Sequence, residues 1–572
     1  MRKMKSSTLI NSVFYLFCVF TYTAHSEQSE PFLFTILHTN DLHSHVSGSG
    51  PRLNFTSQTN DGDNVVGHYA RLVSQIKNYK LKSPVPTLTL DAGDWYGGTL
   101  YQWLGPRKDN DQVPELEFFQ NGEYDYTVLG NHEFDAGPEG LITMLDKMRK
   151  LVPEGKPRFK ILASNLEEKF FNQLPKDMVE QTVIKELEYQ GKKLKVGLIG
   201  LLGPDGQRVS ATQRKGVQFV GFDDDNMKAE EEKMYELVSK LRDELKKQGA
   251  QVIGVLLHGG TPEDVALAQN VSDLDFIIAG HTHELYPRPQ KIGKTYIVQA
   301  GCYGQWLGVV PLSWRNGSLE LIDGEKSVTH QAITDKTPVD EAYLKQIGNY
   351  DGKLEELVAT RGFSLNRPLV EVTADMEKNP AFASLVLDKV KVEVAKDVAS
   401  PVDLYFTTLS LVRSGLKKGT QTYEDLFKVF SIGMDMKDFA PGADLYHFYF
   451  SKNEVKLLIE FLELYSLLTK NFKPAFTSNL KYRVRWWGIP MINRLVDLTL
   501  DGKQFEAWPE RISMATNSNI VNYFDKVKTL SYGMVEFHPT DKNLQPLSAP
   551  APIGKKESEF FARGMEDSKT FP

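Results

Sequence analysis

Cysteine is scarce in this chain: 572 residues contain two, Cys18 and Cys302. Cys18 lies in an N-terminal apolar run, and removal of that run would leave Cys302 alone. The mature protein is therefore expected to hold no internal disulfide, and a chain of this length can bury a core without one. In the setting Ala300-Gly301-Cys302-Tyr303 the remaining cysteine reads as a small buried hydrophobe rather than a nucleophile. Excess positive charge is lacking too. There are 67 Lys and Arg against 74 Asp and Glu, a formal net charge of -7. No global field is available to hold a nucleic acid polymer or an anionic membrane, so an anionic ligand must be met by local charge, from metal ions or a few arginines. Internal repeats and low-complexity segments are not evident. At 41% hydrophobic and 25% charged, the composition is that of an ordinary soluble globular protein.

The N-terminal apolar run, Val13 to Phe20, is too short to span a bilayer. It follows the basic residues Arg2, Lys3 and Lys5 and precedes Ala24-His25-Ser26, which places small residues at the -3 and -1 positions before Glu27. Residues 1–26 read as a signal peptide, and the protein is expected to be secreted, periplasmic or extracellular, without a stable membrane anchor. The alternatives are an uncleaved anchor and a lipoprotein through Cys18, the latter opposed by the bulky Phe17. Cleavage would take the formal charge from -7 to -10. Asn54, Asn270 and Asn316 head glycosylation sequons. The polar end Glu566-Asp567-Ser568-Lys569 lacks the apolar tail of a GPI signal.

The first three hundred residues repeat one grammar, a short apolar run followed by a polar turn. Leu33–Thr39 leads to Asn40-Asp41, Thr87–Leu90 to Asp91-Ala92-Gly93-Asp94, and Tyr126–Leu129 to Gly130-Asn131-His132. Val252–Leu257 leads to His258-Gly259-Gly260 and Phe276–Ala279 to Gly280-His281. The runs are short, β-branched and bounded by glycine, which predicts strands; Tyr69–Lys80 and Lys228–Lys247 read as helices between them. Alternating strands and helices imply an α/β layered fold, with ligands bound beyond the carboxyl ends of the strands. Residues 331–365 read as a charged helical linker. Beyond it, Val370–Val372 and Asp403–Thr407 read as strands. Ser451-Lys452-Asn453-Glu454 is a capping box opening a helix whose Val455, Leu458, Ile459 and Leu462 share one face.

Asp41, His43, Asp94, Asn131, His132, His258, His281 and His283 gather at the strand ends. Carboxylate, imidazole and amide together suit a hard-to-borderline divalent metal. Four of the twelve histidines fall in two His-x-His pairs, each just after a strand.

The ordered blocks Asn40-Asp41-Leu42-His43, Gly93-Asp94, Gly130-Asn131-His132-Glu133-Phe134-Asp135, His258-Gly259-Gly260 and Gly280-His281-Thr282-His283 resemble the calcineurin-like metallophosphoesterases. As a set they are more closely similar to the 5'-nucleotidase and UDP-sugar hydrolase family. The resemblance implies a four-layer α/β/β/α metallophosphoesterase domain over residues 31–330, the helical linker, and a second α/β substrate-binding domain over 366–552. It also implies two divalent ions, of zinc, manganese, iron or magnesium. One would be held by Asp41, His43, Asp94 and His283, the other by Asp94, Asn131, His258 and His281, with Asp94 bridging. His283 stands where the family commonly has an amide, which favours a softer metal than magnesium. His132 would stabilise the transition state or protonate the leaving oxygen, with Asp135 holding its ring; Asp135 reads alternatively as a helix cap. His45 receives no role. In the second domain Tyr423–Phe427 resembles the family's helix start, and Arg413 matches a substrate-binding arginine, although Leu409-Ser410-Leu411 replaces the family's glycines. The aromatic base clamp is not recognisable: Ile432 and Asn519-Ile520 lie near its positions. Lys481–Trp487 offers charge and stacking surface instead, or is simply an exposed strand. The function implied is hydrolysis of nucleotide phosphates or a related small phosphate ester. The alternatives are a phosphodiesterase or phosphatase on cyclic nucleotides or other small esters, and a non-catalytic nucleotide-binding protein or surface adhesin.

Overall fold

In the computed structural model, residues 30–572 are described apart from 154, 156–157, 223–225, 469–471, 486, 488–493, 523, 525–526, 529–535, 544 and 548–549. The proposed signal peptide, with Cys18, lies outside the described residues, as does Trp486. Strands Phe32–Thr39, Thr87–Asp91, Tyr126–Val128, Lys160–Leu162 and Val179–Glu180 run parallel in that order in an eight-stranded sheet. Strand Trp306–Arg315 lies antiparallel at the other side of Phe32–Thr39. A six-stranded sheet is built around Lys192–Leu202, Val252–His258 and Phe276–Ala279, again parallel.

Both faces of these strands are buried, which is why they read as near-continuous apolar runs. Alternate residues serve opposite layers. Phe34, Ile36, Leu88 and Leu90 pack against Val196, Leu198, Val252 and Leu256 between the sheets. Leu37 and Ile161 face helices Tyr69–Lys82, Pro114–Asn121 and Gly137–Leu151. On the far side, Ile199, Ile253, Val255 and Ile277 pack against Val238 and Leu245 of helix Met227–Lys247 and Leu267 of helix Thr261–Asn270. The result is an α/β/β/α sandwich. Each fully buried Leu, Ile or Phe contributes roughly 1.5–3 kcal/mol, so the layers can carry strained loops at their rim.

The core includes one unusual polar group. His38 is fully buried on Phe32–Thr39, and neither ring nitrogen has a partner. Its ring lies over Gly308 of the paired strand, where a Cβ would come within 2.1 Å of it, and meets the His330 ring edge-on at 6.1 Å. Burial, then the nearby His330, lowers the His38 imidazole from 6.5 to about 3. The unfolded chain therefore takes up a proton near pH 6.5 that the folded chain refuses, and stability is lost as pH falls through that value. From His38 alone the loss between pH 7.5 and pH 5 is expected to be about 2 kcal/mol. Denaturant titrations of wild type and His38→Leu at both pH values check this: the variant should lose less stability on acidification, and equal losses would remove His38 as the cause.

Helix Glu341–Ala359 follows the sandwich and packs on it through Tyr343, Ile347, Tyr350 and Leu354. The remaining chain forms a five-stranded sheet in the order Pro474–Phe476, Leu404–Thr408, Arg511–Asn517, Asp444–Ser451, Pro552–Lys556, flanked by two three-stranded sheets. Ser451 and Glu454 make the reciprocal capping bonds that open helix Lys452–Leu468. Near the chain end, Thr570–Phe571 pairs with Val370–Val372. This unit is mounted on the sandwich by buried polar contacts. Ser47 donates to Glu424 at 2.8 Å, Lys428 to the Gly48 carbonyl at 3.1 Å, and the Trp103 indole to the Asp438 carbonyl at 3.2 Å. Among the described residues no helix is long and apolar enough to cross a membrane.

Candidate active site

The carboxyl ends of strands from both sheets meet at one rim. From the first sheet come Asp41 and His43, Asp94, Asn131 and His132; from the second come His258, His281 and His283. Asp41, His43, Asp94, His281 and His283 all adopt left-handed backbone conformations, with φ of 51°, 48°, 53°, 80° and 58°. Such residues cost on the order of 1 kcal/mol or more each and persist only where surrounding structure imposes them. Here the imposing contacts are main-chain bonds between loops. The Asp41 amide donates to the Gly93 carbonyl at 2.9 Å, the His43 amide to Asp94 O at 2.9 Å, and the His281 amide to both Asp41 carboxylate oxygens at 3.0 Å.

Ligating atoms of Asp41, His43 and His283 lie within 4.8 Å of one another, as do those of Asp94, His258 and His281 and those of His43, Asp94 and His132. The hydrogen bonds fix how the imidazoles face. His43 Nδ1 is 2.7 Å from the Gly97 carbonyl and His258 Nδ1 is 2.8 Å from the Ala92 carbonyl, so each Nδ1 carries the proton and donates. In the neutral ring Nε2 then presents a lone pair. His43 Nε2 meets His283 Nε2 at 3.0 Å, and His258 Nε2 meets Asp94 Oδ2 at 3.1 Å and Asn131 Oδ1 at 3.2 Å. At His258 acceptors therefore converge on acceptors in a buried place, an arrangement that calls for positive charge between them, from a proton or from metal, whereas His283 Nε2–H can donate to His43. The acids report the same demand. Burial pushes Asp41 up to about 7, and burial with the neighbouring Asp94 carries Glu133 well above the usual carboxylate range. These residues fit a divalent metal centre.

His132 stands beside this cluster, its ring edge-on to His43 at 4.9 Å. Its amide donates to Asp94 Oδ1 at 2.8 Å and its Nδ1 is 2.7 Å from Asp135 Oδ2. The Asp135 carboxylate is thus turned to the imidazole, while helix Gly137–Leu151 begins at Ala136 without a side-chain cap. Burial alone would lower His132, but the Asp135 and Asp94 carboxylates hold it above the usual imidazole value. From the second unit Arg413 reaches the same space. Burial, then the Arg413 guanidinium, keeps His283 well below its usual value, and the same charge acts on His43, His132 and Tyr303. No ion-pair partner for Arg413 occurs among the described residues.

Residues 34–285 match the family model for calcineurin-like phosphoesterases. Human 5'-nucleotidase is 30% identical over 343 residues, 56% of this chain and 53% of that protein. Residues 34–285 thus resemble calcineurin-like phosphoesterases, and the similarity to 5'-nucleotidases extends over about half of the chain. It spans about half the length of the curated relatives it matches. Among solved structures, a 5'-nucleotidase precursor from Thermus thermophilus shares the fold with a TM-score of 0.67 at 21% identity, over 95% of this chain and 97% of that one. A sulfate thiohydrolase from the same organism shares it with a TM-score of 0.62 at 18% identity, over 94% of each chain. Calcineurin-like phosphoesterases depend on divalent metal, and the groups described above are the candidates for holding it in this chain.

Several residues of this site were not singled out by sequence reasoning. Glu133 is wholly buried and accepts amide protons from Asp94 at 3.2 Å, Tyr96 at 3.0 Å and Gly130, tying two loops together. It stands inside a motif block, which was its only signal. Tyr303, also left-handed with φ 60°, stacks on His45 at 3.9 Å and meets His283 edge-on at 5.4 Å. His45, given no role from the sequence, thus supports a ring that packs on a candidate ligand. Lys378 is the second cation near Arg413: burial first, then Arg413, brings it down to about 8, although the side chain still reaches solvent. Asp205 lies 3.0 Å from His281. At the expected clamp positions Ile520 is packed in the core of the second unit, while Ile432 is half-buried. Trp487 is 63% exposed under the Arg485 guanidinium, just beyond strand Leu480–Val484.

Proposed function

We propose that this chain is an exported two-metal phosphoesterase that hydrolyses nucleotide phosphates. Residues 31–330 form its catalytic domain, 331–365 the linker and 366–552 the substrate-binding domain. The observation that carries the reading is the convergence of imidazole lone pairs and carboxylates whose outer ring nitrogens are tied to backbone carbonyls. One ion is assigned to Asp41, His43, Asp94 and His283, the other to Asp94, Asn131, His258 and His281. Zinc, manganese or iron suits this donor set better than magnesium. With divalent ions held there, the site would gain a water of lowered pKa and positive charge against the phosphoryl oxygens. The chain's own residues do the rest. His132 has Nδ1 committed to Asp135, so Nε2 is the atom left to steady the phosphoryl group or hand a proton to the leaving oxygen. Arg413 and Lys378 supply positive charge from the facing unit for an anionic substrate.

Release of inorganic phosphate over mono-, di- and triphosphates, sugar nucleotides, cyclic nucleotides and a sulfate ester, with and without chelator, tests the reading. Turnover of nucleotide phosphates that disappears with chelator and returns with added ion is expected; chelator-resistant turnover would overturn it. Discrimination among bases is expected to be weak. Stacking is worth roughly 1–3 kcal/mol per base and tolerates any base, whereas sharp choice needs polar groups on base edges. With Ile520 in the core, kcat/KM for the adenine, guanine, uracil and cytosine monophosphates should agree within about a hundredfold. A larger preference, abolished by Trp487→Ala, would place a base reader at Trp487, beyond strand Leu480–Val484, instead.

A further inference from the structure

Strand Lys192–Leu202 is followed by a segment that carries none of the family blocks: Gly203 caps the short helix Pro204–Val209, whose first turn holds Asp205. It nevertheless touches both histidines assigned to the second ion. The Gly203 amide donates to the His258 carbonyl at 2.8 Å. Asp205 Oδ2 lies 3.0 Å from His281 Nε2. The segment is itself held from behind: the Asp205 amide donates to Glu263 Oε1 at 2.7 Å. Glu263 approaches so closely that a Cβ on Gly203 would come within 2.1 Å of its other oxygen, so only glycine fits there. On its outer side the Asp205 carboxylate is bonded by Arg208, with Nε at 3.1 Å from Oδ1.

From this geometry we infer that Asp205 is a positioning residue that fixes the tautomer and orientation of His281 for the second metal ion. With Nε2–H donated to Asp205, the lone pair is left on Nδ1, the only other ligating atom of a ring that lies 5.1 Å from His258, centroid to centroid. His43 and His258 are fixed in the opposite tautomer, with Nδ1–H donated to the backbone carbonyls of Gly97 and Ala92 and the lone pair left on Nε2. His281 sits on a left-handed turn, is partly exposed, and has a side chain where the others have main chain. Loss of such carboxylate partners of a ligating imidazole typically costs 10–100-fold in metal affinity or activity.

The inference rests on the two-metal reading, and ion counting separates the two. Metal content and competitive chelator titration with manganese and with zinc should give two ions per wild-type chain. Asp205→Ala should keep one ion at wild-type affinity and bind the other about 10–100-fold more weakly, with turnover restored at high ion concentration. Asp205→Asn, which retains an oxygen to accept from the ring and the shape of the side chain, should lose less; it also serves as the reporter if Asp205→Ala does not fold. Both ions bound by Asp205→Ala at wild-type affinity, or both weakened equally, would overturn the positioning role. Wild-type protein without ions would overturn it together with the reading beneath it.

Discussion

Asp94→Ala is expected to bind neither ion tightly and to lose at least about 10⁴-fold in turnover, since accelerations by hydrolytic enzymes commonly exceed 10⁶-fold. No other side chain is shared by both assigned ion sites. Asp94 Oδ2 lies 3.1 Å from His258 Nε2 and 3.7 Å from His43 Nε2, so one oxygen faces ligands of both ions. Burial alone would raise this acid, yet His258, His132 and His43 together hold it well below the usual range; it is the anion around which the imidazoles are arranged. Its removal leaves His258 and His43 pointing at empty space and unties the His132 amide, which Asp94 Oδ1 accepts at 2.8 Å. Metal analysis alongside phosphate release checks this, and two retained ions with full turnover would show that the ligand assignment is wrong. Asp94→Asn should retain the amide contact and recover fold stability without recovering activity.

His132→Ala is expected to behave differently, losing about 10²–10⁴-fold in kcat while metal content stays near wild type. The argument is geometric. His132 is fastened twice, through its amide to Asp94 and through Nδ1 to Asp135, and neither bond uses Nε2. A positioned imidazole with one unclaimed nitrogen beside a metal cluster can act on the substrate. Ligating atoms of His132 also lie within 4.8 Å of those of His43 and Asp94, so ligation is the competing role and the metal count decides between them. Asp135→Ala should cost less, roughly 10–100-fold, because the ring is loosened rather than removed. Parallel loss of ions and turnover in His132→Ala would make it a ligand.

Much of the sandwich could be read from the sequence because its strands are short, apolar and closed by glycine. Phe276–Ala279 was legible to the residue, and Val252–His258 and Thr87–Asp91 each run one residue beyond the apolar stretch, the first into an assigned ligand and the second into a buried aspartate three residues before Asp94. The motif blocks placed eight polar groups at one rim because each block directly follows a strand end. What stayed hidden had no local signature. Asp205 lies in a Gly-Pro-Asp-Gly stretch that opens the short helix Pro204–Val209, and its bond to His281 spans 76 residues. Lys378 is one of many lysines until the fold turns it towards Arg413. His38 reads as an ordinary member of a strand that alternates, and only the pairing with Gly308 reveals that its ring fills the space above a glycine.

The rim draws its donors from two sheets that share no strand hydrogen bonds with each other. Asp41, His43, Asp94 and Asn131 hang from the first, and His258, His281 and His283 from the second. An ion coordinated by His43 and His283 would join points 240 residues apart. In a chain whose only described cysteine is the unpaired Cys302, such an ion would be the nearest thing to a covalent cross-link, closing a loop of 240 residues and withdrawing that much freedom from the unfolded chain. The metal centre would then act as the rivet at the open end of a hinge, whose closed end is the apolar seam between the sheets.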